Sequence, residues 1–220
     1  MRAALLLTMV AGLTAATPAV AAPACTAFVD VTVVATDRAA LAPHRTVVVR
    51  GERVATVRPV GAGPPPPGCR TIDGRDRYLI PGLVDTHVHL FGYSRAGEGD
   101  PATERAVLRM LVANGVTTAL VMEGSPATLR LKREVASGRI EGPTLYSTGP
   151  LIQAPDTGAP PHRRTFATPD DVRREVEDEK RLGYDFVKVH GAMPRETYAS
   201  LLATARRVGL PVVGHVPDNL

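Results

Sequence analysis

The chain has 220 residues, with 26 Lys and Arg against 22 Asp and Glu, a net charge of +4 and 44% hydrophobic residues. That excess of positive charge is too small and too evenly spread to argue for a nucleic-acid surface, and the length allows one or two domains with real cores. Only three of the basic residues, Lys132, Lys180 and Lys188, are lysine, so a lysine in an apolar stretch is a less casual choice here than in most chains.

Residues 1–22 read as an export signal. Arg2 gives a positive start, an apolar run follows, and Ala19, Ala21 and Ala22 offer small residues for cleavage. The run is too short and too rich in small residues to be a good membrane span, so the expectation is cleavage near Ala21 or Ala22, with an uncleaved anchor as the alternative. The protein is then exported, periplasmic or secreted, with no membrane span after cleavage. Cys25 and Cys69 both survive, and an oxidising compartment permits a disulfide between them; two free thiols are the alternative. Without a C-x-x-C pair they do not make a zinc knuckle.

Residues 23–80 read as a small β domain, sandwich-like in pattern. The runs "FVDVTVVAT", "RTVVVR" and "RVATVRPV" are rich in β-branched residues, and Gly51-Glu52 suits a hairpin turn between the last two. "GAGPPPPG" cannot pair in a sheet and predicts a loop. "CRTID", a turn at Asp73-Gly74 and "RYLI" then return to strand character.

From residue 81 to 220 strand and helix patterns alternate. Strand "LVDTHVHL" is followed by a helix from about Pro101, capped by Asp100 and stopped at Asn114-Gly115, with Val107, Met110 and Leu111 as its apolar stripe. Strand "VTTALVME" comes next, then a helix from Ser125-Pro126 to Gly138 and a strand "PTLYSTG". A long loop through "PLIQAPDTGAPPHRRTF" leads to a helix capped by Thr168 with Pro169 at its first position, where Val172, Val176 and Leu182 face inward and the run "RREVEDEKR" reads as a solvated face. "YDFVKVH", a helix marked by Tyr198, Leu201, Leu202, Ala205 and Val208, and "PVVGH" complete the pattern. Repeated units of this kind predict an α/β fold with a parallel sheet covered by helices. No G-x-G-x-x-G follows any strand, which leaves a nucleotide-binding sheet without support. About five β/α units are present, and a whole (β/α)8 TIM-type barrel takes about 250 residues. The expectation is therefore a partial barrel, the N-terminal part of a longer protein or a truncated product.

Strand ends carry the chemistry in such folds. Along "LVDTHVHL" alternation sets Leu83, Asp85, His87 and His89 on one face. Two imidazoles on one strand face can converge on a metal ion, although a bare H-x-H also fits two core histidines satisfied by hydrogen bonds. Lys188 and His190 share a face of "YDFVKVH", and His215 ends the last strand. A lysine pointing into a barrel is costly unless it is neutralised or ligates something; snorkelling to the rim is the bland reading. Asp85 is placed to orient an imidazole or to make an interior hydrogen bond. His190 is a candidate substrate contact or a polar residue at the mouth. Glu123, at the end of the second barrel strand, is placed for a site contact, whereas His162 reads as loop surface and His44 has no site nearby.

Taken together, "PGLVDTHVHL", "YDFVKVH" and "LPVVGHVP" resemble the amidohydrolase superfamily, in the subgroup of imidazolonepropionase-like and zinc prolidase-like enzymes. The resemblance implies that His87 and His89 bind the more buried of two divalent metal ions. Lys188 would be carboxylated and bridge the two, and His215 would bind the second. Lys188 and Asp85 are then the catalytic candidates and His190 a substrate-binding one. Imidazole and carboxylate donors favour Zn2+, with manganese, iron or cobalt able to serve. The implied activity is hydrolysis of a C–N bond, in a small amide or a dipeptide, through a metal-bridging hydroxide. The family's sixth-strand histidine and eighth-strand aspartate have no counterpart in this sequence, so this chain alone is expected to be inactive. A non-catalytic exported module that binds metal or a partner through the same strand ends is the competing reading. A mononuclear deaminase of the same superfamily is disfavoured by Lys188, which such enzymes do not need.

Overall fold

The computed structural model describes residues 25–90, 100–155 and 164–217. The expected export signal and His162 lie outside them. The described residues fall into two compact units, one ending at Pro81 and the other beginning at Gly82.

The first unit is a single mixed sheet. Its strands are β1 (Cys25–Ala35), β2 (Ala40–Arg50), β3 (Arg53–Pro59), β4 (Cys69–Asp73) and β5 (Tyr78–Leu79). They are ordered β3-β2-β1-β4, with β5 also pairing β1. Gly51 takes φ 53° between the paired residues Arg50 and Arg53, which a two-residue hairpin turn requires of its first central residue. β2 starts at Ala40, earlier than the sequence pattern indicates, because Ala40 to His44 contain a proline and no alternation. The β1–β2 pairing is irregular around Val31, and near it Asp30 and His44 both adopt positive φ. Their side chains meet there, His44 Nδ1 lying 2.8 Å from Asp30 Oδ1. The proline-rich loop is held by Arg58, whose guanidinium donates to the carbonyls of Gly63 and Pro64, both at 2.7 Å. Cys25 and Cys69 are register partners in the parallel β1–β4 pair and are joined by a disulfide, with Cα atoms 4.5 Å apart.

The second unit is a curled, parallel half-barrel. In chain order it contains β6 (Leu83–Val88), α1 (Pro101–Ala113), β7 (Val116–Val121), α2 (Pro126–Ala136), β8 (Thr144–Gln153) and β9 (Arg164–Thr165). It continues with α3 (Pro169–Leu182), β10 (Phe186–Val189), α4 (Arg195–Val208) and β11 (Val212–Gly214). The sheet runs β11-β10-β8-β7-β6, with the short β9 added on β8. Helix ends follow the sequence signals. Asp100 and Thr168 accept the backbone N–H groups of Thr103 and Asp171, Ser125 and Thr128 form a capping box, and Gly183 and Gly209 close α3 and α4 in the left-handed region. Two apolar clusters join sheet to helices. One holds Leu108, Ala119, Val121, Leu131 and Leu145; the other holds Ile152, Val172, Val176, Val187, Val189 and Leu201.

Four local expectations need correction. Leu108, not Met110, is the inward anchor of α1, and Met110, Leu182 and Leu202 are exposed. β8 continues past Gly149-Pro150 to Gln153 rather than ending at the glycine. The pair crosses a register irregularity there, Thr148 facing Phe186 and Leu151 facing Lys188, and a proline without an N–H is tolerated at such a bulge. The charge run of α3 is not wholly solvated either, since Glu175 and Glu179 are buried. Finally, the alternation assumed along β6 breaks between Asp85 and Val88, where its pairing with β7 shifts register.

Candidate functional site

β6 delivers His87 and His89 at its carboxyl end, where the Val88 carbonyl accepts the N–H of Met122 and ties the end of β6 to β7. Despite the register shift, the two rings converge. Their Nε2 atoms are 3.2 Å apart and their planes tilted by 44°. Asp85 reaches His87 through the backbone: its carboxylate accepts the His87 N–H at 3.0 Å, bracing the strand end rather than the ring. On the other side of His89, Nδ1 lies 3.5 Å from Glu123 Oε2, just beyond the end of β7. Burial pushes the His89 imidazolium below its usual range; Glu123 opposes that, while His87 and Lys188 add to it.

Lys188 occupies the middle of β10 between Val187 and Val189, whose side chains belong to the helix-facing core. Alternation therefore sends Lys188 to the barrel side, where it is 2% exposed. Burial lowers its pKa below the usual lysine range, and the Glu123 carboxylate pulls the other way. Gly214 makes room for it. A Cβ there would sit 2.9 Å from Lys188 Cδ and collide with the Val189 carbonyl. Nothing in the sequence pattern marks Gly214 for that role except its position between an apolar strand and His215.

His190 and His215 form a second pair, with ring centroids 4.7 Å apart. Backbone bonds fix both at strand ends: His190 N–H donates to the Ile152 carbonyl and His215 N–H to that of Val189. The structure thus brings His87 to His89, His89 to Glu123, and His190 to His215, with Lys188 electrostatically linked to Glu123 and His89.

The fit to a metal ion can be tested on these donors. Two nitrogens 3.2 Å apart subtend about 100° at an ion ~2.1 Å from each, close to the tetrahedral angle. The His87–His89 pair therefore suits one ion. Among the described residues, no third His, Cys, Asp or Glu completes a cluster around it. Lys188, buried on the barrel side, serves as a ligand only after losing its positive charge.

A curled parallel half-barrel with imidazoles at the ends of three strands and a buried lysine on one of them defines a (β/α)-barrel protein. The chain belongs to the amidohydrolase family, which matches residues 78–220. It is 48% identical over 48 residues to an imidazolonepropionase of Rubrobacter xylanophilus, covering 20% of this chain and 12% of that one. An adenine deaminase of Bradyrhizobium sp. is 30% identical over 190 residues, covering 79% of this chain and 29% of the relative. Among solved structures, a Bifidobacterium longum protein described as a prolidase superposes with TM-score 0.73 at 25% identity, over 88% of this chain and 50% of that chain. The chain thus spans well under two thirds of the relatives it matches.

Proposed function

We propose that the protein is a metal-dependent hydrolase of small-molecule C–N bonds, in a cyclic amide or a dipeptide. The observation that carries the reading is the convergence of His87 Nε2 and His89 Nε2 at 3.2 Å beside a lysine that is 2% exposed. The names of the relatives point the same way, one an imidazolonepropionase and one described as a prolidase.

In this reading His87 and His89 hold one ion, zinc being the best match to such donors. Lys188, once carboxylated, and His215 would hold a second ion. Burial lowers the pKa of Lys188 and so raises the share of neutral amine. A neutral amine can add to carbon dioxide, forming an N–C bond and releasing one proton, and the resulting carbamate replaces a cation with an anion at the site. When bound, such ions lower the pKa of a coordinated water and polarise a carbonyl. Asp85 braces His87 through its amide, and His190, packed on His215, faces substrate at the mouth. Lys188 also disfavours a mononuclear deaminase, which does not need such a lysine. The Cys25–Cys69 disulfide supports an exported, periplasmic or secreted, location.

Cobalt(II) or zinc titration of the purified chain tests the metal site, read by visible absorption and by metal content after dialysis. Replacing His87→Ala together with His89→Ala should abolish binding at the inner site. Unchanged metal content in the double variant would overturn the assignment. Hydrolysis of Xaa-Pro dipeptides and small cyclic amides, in a chain extended to the length of the relatives, tests the activity. Metal binding without turnover there would favour a non-catalytic binding module.

A further inference from the structure

Glu123 stands on the far side of His89 from the point where the two imidazoles converge. His89 Nδ1 is 3.5 Å from Glu123 Oε2, while His89 Nε2 is 3.2 Å from His87 Nε2. A neutral imidazole carries one proton, on one nitrogen or the other, and its two nitrogens here face very different partners. With the proton on Nδ1, the ring presents N–H to a carboxylate. With the proton on Nε2, it presents a lone pair to that carboxylate, which is repulsive. The contact between the two Nε2 atoms admits only one proton, so settling His89 also settles His87.

We propose that Glu123 is a positioning residue that keeps the proton of His89 on Nδ1 and so turns the Nε2 lone pair toward His87. In the metal-free chain His89 is then the Nδ1–H form and accepts from His87, which is the Nε2–H form. The consequence for metal rests on the reading under Proposed function. A carboxylate behind an imidazole fixes its orientation and raises its basicity as a ligand, and losing such a partner typically weakens metal binding about 10- to 100-fold. Of the two imidazoles, His89 would be prepared for an ion in advance, while His87 must give up its Nε2 proton on binding. Glu123 also lies within electrostatic reach of Lys188, so the same carboxylate borders both arms of the site.

The test uses the metal-free chain at pH 8, where imidazoles are neutral, with 15N-labelled histidine and long-range proton–nitrogen correlation. His89 and His87 are assigned by the loss of their signals in His89→Gln and His87→Gln. The expected result is a protonated Nδ1 and bare Nε2 for His89, and the reverse for His87. In Glu123→Met, which keeps the length and removes the acceptor, His89 should shift toward the Nε2–H form. Glu123→Gln, which retains an acceptor oxygen, should partly restore the wild-type pattern. A wild-type His89 protonated on Nε2 would overturn the proposal, as would an unchanged His89 in folded Glu123→Met. If that variant does not fold, the wild-type spectrum decides alone. A zinc titration supplies the second readout, with affinity expected to fall about 10- to 100-fold in Glu123→Met. A wild-type chain that binds no zinc would count against the metal reading and leave the tautomer assignment to the metal-free spectra.

Discussion

The stem of Lys188 runs past Gly214 with no room for another side chain: a Cβ at position 214 would stand 2.9 Å from Lys188 Cδ and strike the carbonyl of Val189. Gly214 also has φ 115°, a conformation that L side chains rarely adopt. The glycine is therefore what allows β11 to lie beside β10 at the level of the buried lysine.

Gly214→Ala should destabilise the second unit by about 1–3 kcal/mol, from backbone strain and overpacking together. Urea unfolding measures it. Metal binding should weaken as well, because Lys188 must move. A variant of unchanged stability would mean that β11 shifts freely and that the glycine is not needed for the lysine.

Glu179 supplies a pH dependence of stability from outside the candidate site. Its side chain is 1% exposed, neither oxygen has a hydrogen-bond partner among the described residues, and it lies against Gly149, where a Cβ would collide with it. Burial first, and then the neighbouring Glu175 carboxylate, push its pKa up to about 9, with Arg164 opposing. Arg164 itself is paired to Glu175 at 2.5 Å. Burial first, and then Glu179, raise the nearby Tyr184 to about 12. Between the ordinary glutamate value of 4.5 and about 9 the folded chain holds a proton that the unfolded chain has lost, so stability falls as pH rises. The slope from this one group approaches ~1.4 kcal/mol per pH unit in the middle of the window. Glu179→Gln should flatten it and raise stability at pH 8. Parallel stability–pH curves for the two proteins would rule the account out.

Much of this fold is written in local signals. The caps at Asp100, Ser125 and Thr168 and the stops at Gly183 and Gly209 lie where residue type demands, because each answers to its own few neighbours. The rest depends on partners distant in sequence. Glu175 and Glu179 look like any charged helix face until Arg164 and Gly149 are brought against them. Gly149-Pro150 reads as the end of a strand, yet β8 continues because a bulge spares the missing N–H. Met110 and Leu108 differ by two positions, and only the contact with the sheet decides which turns inward.

The placement of the candidate residues was legible in part. A period of two sends Lys188 away from the helices with no tertiary information, whereas His87 and His89 meet despite a register shift that the pattern does not show. All three lysines have specific work: Lys132 bonds both carboxylate oxygens of Asp185, Lys180 donates to the Gly209 carbonyl, and Lys188 is buried. Their scarcity in the sequence was the clue. The part played by Glu123 could not be read so directly. Its place at a strand end shows in the pattern, but its approach to the Nδ1 side of His89 depends on how β6 and β7 shift register near Val88.

The disulfide closes a 44-residue span, and loop-closure entropy alone assigns such a cross-link about 4 kcal/mol, with native bridges typically near 2–4. Cys25→Ala with Cys69→Ala should lower the stability of the first unit by about that amount, measured by denaturant unfolding with and without reductant. Two thiols open to alkylation in the native, unreduced protein would contradict the pairing.

The substitution series at Lys188 separates a metal-bridging lysine from a merely buried one. Burial lowers its folded pKa, so between that value and the unfolded value of 10.5 the unfolded chain holds the extra proton and stability rises with pH. Lys188→Met keeps the length, removes the charge and should abolish that rise while folding normally. Lys188→Arg places a permanently charged guanidinium where only 2% of the side chain meets solvent, and should be the least stable of the series. For metal the ranking is different. If a carbamate on Lys188 carries the bridge, Met, Ala and Arg variants should all lose the second ion, because none supplies an anion. Short carboxylic acids should restore part of the binding in Lys188→Ala, where the vacated space admits them, and none in Lys188→Met, where it is filled. Metal content and unfolding midpoints in a chain extended to the length of the relatives measure both rankings. A Lys188→Arg variant with full metal content and undiminished stability would place the lysine head at the rim and remove the bridging role.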